Sequence, residues 1–244
     1  MISIIDDWEF WSFVVAGLAL VLSQVPHVRL WFRRPRLAVE ANASIVFMHS
    51  FNPQVNIYLS VENVGGRRVR VNTIVAELKR DGRPLVELPV QGFFESPTSP
   101  QSVFFRPFDL DPDQQWSKQV VCFALITREE DRAFRKERSR ASIDLQKNES
   151  AVLGGVPAVV GPETYQAIVA RFNKNFIWEH GDYELTIRVK TNRPGLEFDQ
   201  CYRFTLFESD RDELKAVASG FITGHGVVYE PKNFQPLWSP LQLL

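Results

Sequence analysis

The sequence is poor in the residues that carry most enzymatic and metal chemistry. Its 244 residues include two cysteines and four histidines, and the histidines show no metal-ligand spacing. Two cysteines cannot form a disulfide framework, and no serine lies in a nucleophile-elbow motif. A basic excess is also lacking, since 28 basic and 29 acidic residues leave a formal net charge of -1. We therefore predict no catalytic, metal or cofactor site and no nucleic-acid partner.

Charge is absent from one stretch near the N-terminus. No Asp, Glu, Lys or Arg occurs between Glu9 and Arg29, which leaves 19 uncharged residues, Phe10–Val28. As a helix this stretch would reach about 28 Å, close to the hydrocarbon thickness of a bilayer. A secretion signal, a buried core helix and a single-pass membrane anchor all suit such a stretch. An acidic start followed by a basic cluster is the reverse of a secretion signal, and aromatic residues at both ends favour the anchor over a core helix.

We predict that residues 1–36 form this anchor and its basic stop. Aromatic and basic residues at the two ends are expected to hold it at the membrane interfaces: Trp8, Trp11, Trp31, Arg29, Arg33, Arg34 and Arg36. All of the basic residues follow the apolar run. The positive-inside rule then predicts a cell-membrane location with the N-terminus outside and the rest of the chain in the cytoplasm.

Small residues recur inside the same stretch at spacings of 4, 3 and 4: Ser12, Ala16, Ala19 and Ser23. On a helix these positions share one narrow face. A face of small residues lets membrane helices approach closely, so we predict helix–helix packing and a homo-oligomer.

Beyond residue 36 the apolar residues alternate with polar ones, which is typical of half-buried strands. The run "QVNIYLSVENV" is one example, and Gly65-Gly66 after it predicts a hairpin turn. A phase slip near Asn72-Thr73 predicts a bulge, and Asp81-Gly82 predicts a second turn. Later strands are expected at 84–90, 102–108 and 116–126.

A helical insertion is predicted within the strands, at about 127–178. The segment "REEDRAFRKERSRASIDLQK" is dense in mixed charge and indicates an exposed helix, and 163–175 indicates a second one. Strands return up to residue 208. Residues 209–244 are expected to form a short helix and an apolar tail that docks on the domain or on a partner.

Residues Gly181-Asp182-Tyr183, followed by Leu185, resemble the tyrosine corner of the immunoglobulin-like β-sandwich superfamily. The resemblance covers roughly 37–126 and 182–208, and it implies binding more readily than catalysis. Leu185 stands where antibody domains have a cysteine. The predicted fold is therefore mainly β: a single N-terminal transmembrane helix and an immunoglobulin-like β-sandwich, residues 37–208, with a helical insertion.

Two motifs suggest ligands at first sight. Asp109, Asp111 and Asp113 begin like a calcium loop, but Val120 occupies the twelfth position, where a Glu is needed. The glycines of "GFITGHG", residues 220–226, match no phosphate-binding spacing. We interpret the first segment as a proline-containing turn between strands and the second as a flexible segment or a turn.

The predicted function is a non-enzymatic, membrane-tethered interaction or sensing module. A protein partner, a second copy or a small-molecule ligand would suit it. One alternative is a membrane-perturbing effector, for example in cell defence, whose transmembrane helices oligomerise when the sandwich senses a signal. Another is an enzyme with a site assembled from scattered residues, of which Glu179, His180 and Asp182 are the first candidates.

Overall fold

The computed structural model describes residues 8–48, 51–96, 98–151, 158–230 and 236–244. The fold is mainly β and antiparallel, which confirms that part of the prediction. The strands are β1 Leu37–Met48, β2 Gln54–Asn63, β3 Val69–Arg80, β4 Arg83–Phe94, β5 Val103–Phe104, β6 Phe108–Leu110, β7 Gln115–Phe123, β8 Gly181–Thr191, β9 Glu197–Leu206, β10 Leu237–Pro240 and β11 Gln242–Leu243. The helices are α1 Trp8–Phe32, α2 Arg128–Ala151, α3 Pro162–Asn175, α4 Glu208–Ala216 and a 3-10 helix, Val217–Thr223.

Two layers of strands enclose the main core. One layer has the order β10, β1, β2, β7, and the other has the order β3, β8, β9, β11. Strand β4 joins the layers, because its first part pairs with β3 and its residues Val90–Phe94 pair with β7. The result is a continuous antiparallel sheet folded into a barrel-like sandwich.

Alternation along the strands builds the core as the sequence pattern predicts. Ile57 and Leu59 of β2 face Leu185 and Ile187 of β8 across the interior, and each of the four is buried. Burial of such side chains contributes about 1.5–3 kcal/mol each. The main core is therefore a set of inward-facing aliphatic rows from both layers.

The turn and bulge predicted around β3 are present. Asp81 and Gly82 have φ angles of 50° and 75°, which suit a two-residue turn between the paired strands β3 and β4. The β3–β8 ladder shifts register between Val71 and Thr73, where the phase slip predicted a bulge.

The hairpin predicted at Gly65-Gly66 is wrong. Strands β2 and β3 lie in opposite layers, so the chain crosses the sandwich between them. Gly65 serves a close backbone approach instead. A Cβ atom at this position would lie 2.5 Å from the Arg36 nitrogen and 2.6 Å from the Arg34 carbonyl oxygen.

Helices α2 and α3 form an insertion between β7 and β8 with a small core of its own. Thr127 and Glu130 form a capping box that starts α2, with side-chain to backbone bonds of 3.2 and 3.1 Å in the two directions. Pro162 begins α3, where its missing N–H costs nothing. The insertion core contains these buried residues: Ala141, Leu145, Val160, Ile168, Phe172, Phe221 and Val227.

The membrane anchor predicted for residues 1–36 is wrong. Among the helices that the structure describes, α1 included, none has the length and apolar character needed to cross a bilayer. The uninterrupted apolar part of α1 is Phe13–Leu22, about 15 Å of helix against about 30 Å of hydrocarbon. Glu9 and Ser12 interrupt it on one side, and polar residues from Ser23 onward interrupt it on the other. Two further predictions are wrong for the same reason. These are the transmembrane helix of the predicted fold class and the single-pass cell-membrane location with the N-terminus outside.

The C-terminal tail completes the barrel. Strand β10 pairs with β1 of one layer, and β11 pairs with β9 of the other. Between them Leu241 donates its N–H to the Ala43 carbonyl oxygen at 2.8 Å, and its side chain joins the main core. The tail therefore connects the two free sheet edges.

Candidate functional site

A cleft of about 560 Å³ lies between the helical insertion and the end of the β-barrel. Four parts of the chain form its walls: the start of β2 with the residues before it, the chain after β7, the facing sides of α2 and α3, and the loop 226–230. We call it the insertion cleft. Its volume lies within the range of small-molecule sites, about 300–1,000 Å³.

Aromatic and aliphatic side chains supply most of its apolar wall: Phe51, Phe123, Ile126, Phe134, Val228 and Tyr229. Phe51 is central, because its ring lies 4.8 Å from that of Phe134 and stacks at 5.1 Å on that of Phe221. Asn175 fixes its backbone, donating a 3.0 Å bond from Nδ2 to the Phe51 carbonyl oxygen. Tyr229 is half exposed at the rim. The apolar wall is thus held by the insertion core behind it.

Most charged groups around the cleft are already paired within the protein. Arg171 and Glu137 form two parallel bonds of 2.6 and 2.9 Å, and this pairing raises the Arg171 pKa. Asp131 pairs with Arg135 on the same helix. Bonds from the Thr127 backbone and side chain, with a smaller effect of Lys174, lower the Glu130 pKa.

Two charged residues of the insertion cleft differ from the others. Arg138 of α2 and Glu230 of the rim both line the cleft. Within the described part of the chain, neither side chain has an ion pair or a hydrogen bond. An entering molecule would meet these two charges without first breaking a contact of the protein.

The glycines of "GFITGHG" shape the rim through a tight turn, as predicted. Gly224 and Gly226 have φ angles of 78° and 80°, which favour glycine. The Gly224 carbonyl oxygen accepts bonds from the N–H groups of Val228 and Tyr229 at 2.8 and 3.0 Å. A side chain at Gly224 would also collide with Leu145, since its Cβ would lie 2.5 Å from Leu145 Cδ1. The turn sets the position of Tyr229.

Of the residues assigned to the anchor or to helix packing, none whose side chain the structure describes lines the insertion cleft. Trp8 and Trp11 are exposed on α1, and Arg33 lies 3.8 Å from Asp113. Arg34 and Arg36 lie beside Gly65 through their backbones, while the side chains of Arg29 and Trp31 lie outside the described ones.

The small residues predicted for helix packing all lie on exposed positions of α1: Ser12, Ala16, Ala19 and Ser23. Ser23 Oγ donates to the Leu20 carbonyl oxygen at 2.7 Å. Their role in self-association stays a prediction.

The three residues considered for an enzyme have separate structural contacts. Glu179 pairs with Lys215 at 2.7 Å, Asp182 accepts a 2.7 Å bond from Thr205, and His180 is exposed. None of the three lines the insertion cleft.

Of the aspartates of "DLDPDQ", Asp109 lies in β6, and Asp111 and Asp113 lie in the connection from β6 to β7, which contains the predicted turn. Asp109 and Asp111 contact Arg68 at 2.8 and 3.8 Å. Within the described residues no three His, Cys, Asp or Glu side chains are grouped closely enough to hold a metal ion. The two cysteines are not bonded to each other.

Sequence analysis missed the insertion cleft because its residues come from distant segments. Phe51, Phe134, Arg171 and Tyr229 share no motif, and each looks like an ordinary core or surface residue in its own segment. The one available signal was the pair of predicted helices inserted between strands. Comparison of the chain with known protein families, curated proteins and solved structures finds no match.

Proposed function

We propose that the protein is a non-enzymatic interaction or sensing module that binds a small ligand in the insertion cleft. The observation that carries this proposal is the cleft itself: an aromatic wall, a volume of about 560 Å³ and two charges that have no partner among the described residues. Apolar pockets with a few placed polar groups are the usual form of small-molecule sites.

The chemistry of the wall favours a ligand with an aromatic or other flat apolar body and one acidic group. The body would pack on Phe134 and Tyr229. The acidic group would accept bonds from Arg138, whose guanidinium is suited to a carboxylate or phosphate. Glu130 and Asp131 would repel this group little, because the Glu130 carboxylate accepts bonds from the N–H and hydroxyl of Thr127 and lies near Lys174, and Asp131 is paired with Arg135.

Binding in the insertion cleft would also affect how the insertion is arranged against the barrel. The wall belongs partly to the insertion and partly to the barrel, and Phe51 contacts the aromatic core of the insertion. A ligand in the cleft would therefore stabilise one arrangement of the insertion against the barrel.

A thermal-shift screen of aromatic carboxylates and nucleoside phosphates on the full chain tests the proposal, followed by calorimetry on the compounds that bind. Arg138→Gln should weaken binding of such a compound at least tenfold. Arg140→Gln is the matched control, since Arg140 is exposed on the same helix and lies outside the cleft lining. A compound that binds wild type and both variants equally would place its site elsewhere, and the absence of any binding compound would remove the proposal's basis.

We also propose, at the level of fold, an immunoglobulin-like relationship. Immunoglobulin constant domains have strands A, B, E and D in one layer and C, F and G in the other. Matching β1, β2, β3, β7, β8 and β9 to A, B, C, E, F and G, respectively, reproduces those neighbours. The Tyr183 hydroxyl donates to the Glu179 and Ile177 carbonyl oxygens at 2.7 and 3.1 Å, as a tyrosine corner does. Cross-strand NMR contacts that gave a different strand order would overturn this relationship.

A further inference from the structure

A second cavity lies between β1 of one layer and β9 of the other. It begins where the C-terminal tail crosses from β1 to β9. Its volume is about 710 Å³, and its walls include Leu37 and Val39 of β1, Phe198 and Tyr202 of β9, and Leu243 of the tail. We call it the seam groove. It shares no lining residue with the insertion cleft.

The C-terminal tail is an extended segment that already pairs with the edges of β1 and β9. Along Ser44–Phe47 the edge of β1 is paired with β10, and Leu241 then directs its side chain into the core. After Leu241 the tail moves to the opposite edge, where Gln242 and Leu243 pair with β9. From this point the tail no longer accompanies β1, and the seam groove begins.

Strand β1 directs backbone groups to the groove, and among the described residues Leu37 and Val39 have no strand partner on that side. The Ala41 N–H points away from β2, because it donates to the Tyr202 hydroxyl at 2.8 Å. Successive residues of a strand direct their N–H and C=O groups to opposite edges. Leu37 and Val39 lie four and two residues before Ala41 on the same strand. Their N–H and C=O groups therefore point to the groove as well. Among the described residues, no strand pairs with β1 on this side over residues 37–43.

We propose that the seam groove is a peptide-binding site, in which an extended segment of a partner protein adds as a strand beside residues 37–41 of β1. The pairing would continue, along β1, the ladder that β10 already forms. Backbone donors and acceptors that point to the groove come from alternate residues of β1 and are therefore about 6.6 Å apart. An extended peptide has its own donors and acceptors at the same spacing, whereas a small molecule does not. About four residues of an added strand would fit along this edge.

The walls define the chemistry of the segment. The apolar side chains Leu37, Phe198 and Leu243 would receive apolar side chains at alternate positions of the peptide. Arg36 and Glu40, the charged residues of the lining, have opposite signs. An uncharged segment that alternates apolar with small polar residues is therefore the expected partner.

The irregular part of β1 begins after Ala41, so residues 37–41 have no bulge, and Glu40 is their one charged residue. Exposed edges commonly carry Lys or Pro, which discourage pairing. Residues 37–43 contain neither, and five of the seven are Leu, Val or Ala: Leu37, Ala38, Val39, Ala41 and Ala43.

The test uses the full chain and a fluorescein-labelled hexapeptide that alternates threonine with valine, with both termini blocked. Its fully N-methylated analogue keeps the side chains but has no backbone donor. Leu243→Arg places a charge in the groove, while Leu244→Arg is the matched control. Both leucines are exposed, at 66% and 56%, and only Leu243 lines the groove.

We expect saturable binding of the hexapeptide by fluorescence anisotropy and at least tenfold weaker binding of the analogue. Leu243→Arg should weaken binding at least tenfold and Leu244→Arg less than twofold. Arg138→Gln in the insertion cleft should leave it unchanged, so this site and the proposed ligand site can fail separately. The inference is overturned by an absence of saturable binding, by equal binding of the analogue, or by insensitivity to Leu243→Arg. It is also overturned if gel filtration without peptide shows a dimer that Leu243→Arg dissociates, because a second copy would then occupy the groove.

Discussion

Arg171 of α3 and Glu137 of α2 are joined by two parallel hydrogen bonds of 2.6 and 2.9 Å, and their side chains are only 17% and 18% exposed. The pair connects the two long helices of the insertion. Arg171 lines the insertion cleft, so the same contact fixes part of the cleft wall. Bidentate Arg–carboxylate pairs combine strength with fixed geometry.

Glu137→Gln should lower the free energy of unfolding by about 1–3 kcal/mol, because Arg171 would keep a largely buried charge without its carboxylate. Urea denaturation followed by circular dichroism measures the change. Asp131→Asn is the control, since its pair with Arg135 is 40% and 69% exposed and should contribute less than about 0.5 kcal/mol. Equal losses in the two variants would contradict a special role for the Arg171 pair.

Tyr183→Phe should destabilise the protein only through loss of the hydroxyl, whose single proton is shared between two carbonyl oxygens. The hydroxyl donates to two carbonyl oxygens before β8, and the ring stacks on Phe204 at 5.0 Å, a contact that Phe retains. We expect a loss of about 1–2 kcal/mol in urea denaturation. Tyr58→Phe, at a residue 42% exposed on β2, should change the value by less than about 0.5 kcal/mol. A neutral Tyr183→Phe variant would show that the corner does not hold the start of β8.

Sequence patterns predicted the long strands and the Asp81-Gly82 turn well, because both features depend on residues that are neighbours in the sequence. Alternation placed the long strands, and Asp81-Gly82 marked a turn whose φ angles only a few residue types adopt readily. The Gly65-Gly66 prediction failed because glycine serves turns and close approaches alike. At Gly65 the close approach applies, because the fold brings the backbone of Arg36 next to it from an earlier segment of the chain.

Gly65→Ala should cost about 1–3 kcal/mol, since the new methyl group meets backbone atoms that have no room to move. Thermal unfolding would report the loss as a lower melting temperature. Gly82→Asn offers a comparison, because asparagine tolerates a positive φ at a hairpin turn. If Gly65→Ala were as well tolerated as Gly82→Asn, the close approach to Arg34 and Arg36 would not be required for the crossing between layers.

Stability should fall at alkaline pH, partly through Cys122. Burial raises the pKa of this thiol from 9.0 to about 12. Between these values the unfolded chain has released the proton that the folded chain keeps, so the free energy of unfolding decreases by up to about 1.4 kcal/mol per pH unit from this group. Burial also raises the pKa values of Tyr183 and Tyr202, which adds a decrease of the same sign at higher pH.

Urea denaturation of Cys122→Ala at several pH values between 8 and 11 isolates the contribution of the thiol. The lost side chain lowers stability equally at every pH, whereas the slope above pH 9 should become shallower than in wild type. Parallel curves for the two proteins would mean that the thiol ionises without unfolding.

The two cavities were beyond the reach of sequence patterns for a physical reason. The insertion cleft needs Phe51 to meet Phe134 and Arg138 to have no partner among the described residues, and both facts depend on how α2 packs against the barrel end. The seam groove depends on where the tail leaves β1, which the short strands β10 and β11 determine. Neither strand is long enough to show periodicity.

The route of the tail has a consequence for the order in which the fold can form. Ser44 pairs with Pro240, about 200 residues further along the chain, so the edge of β1 receives its neighbour only after nearly all of the intervening chain has been synthesised. Until then both β1 and β9 expose open edges that can pair with other chains. The last step of folding should therefore be slow closure of a preformed open sandwich, which covers the β1 edge along Ser44–Phe47 and the β9 edge at Tyr202 and Arg203 while residues 37–41 stay open.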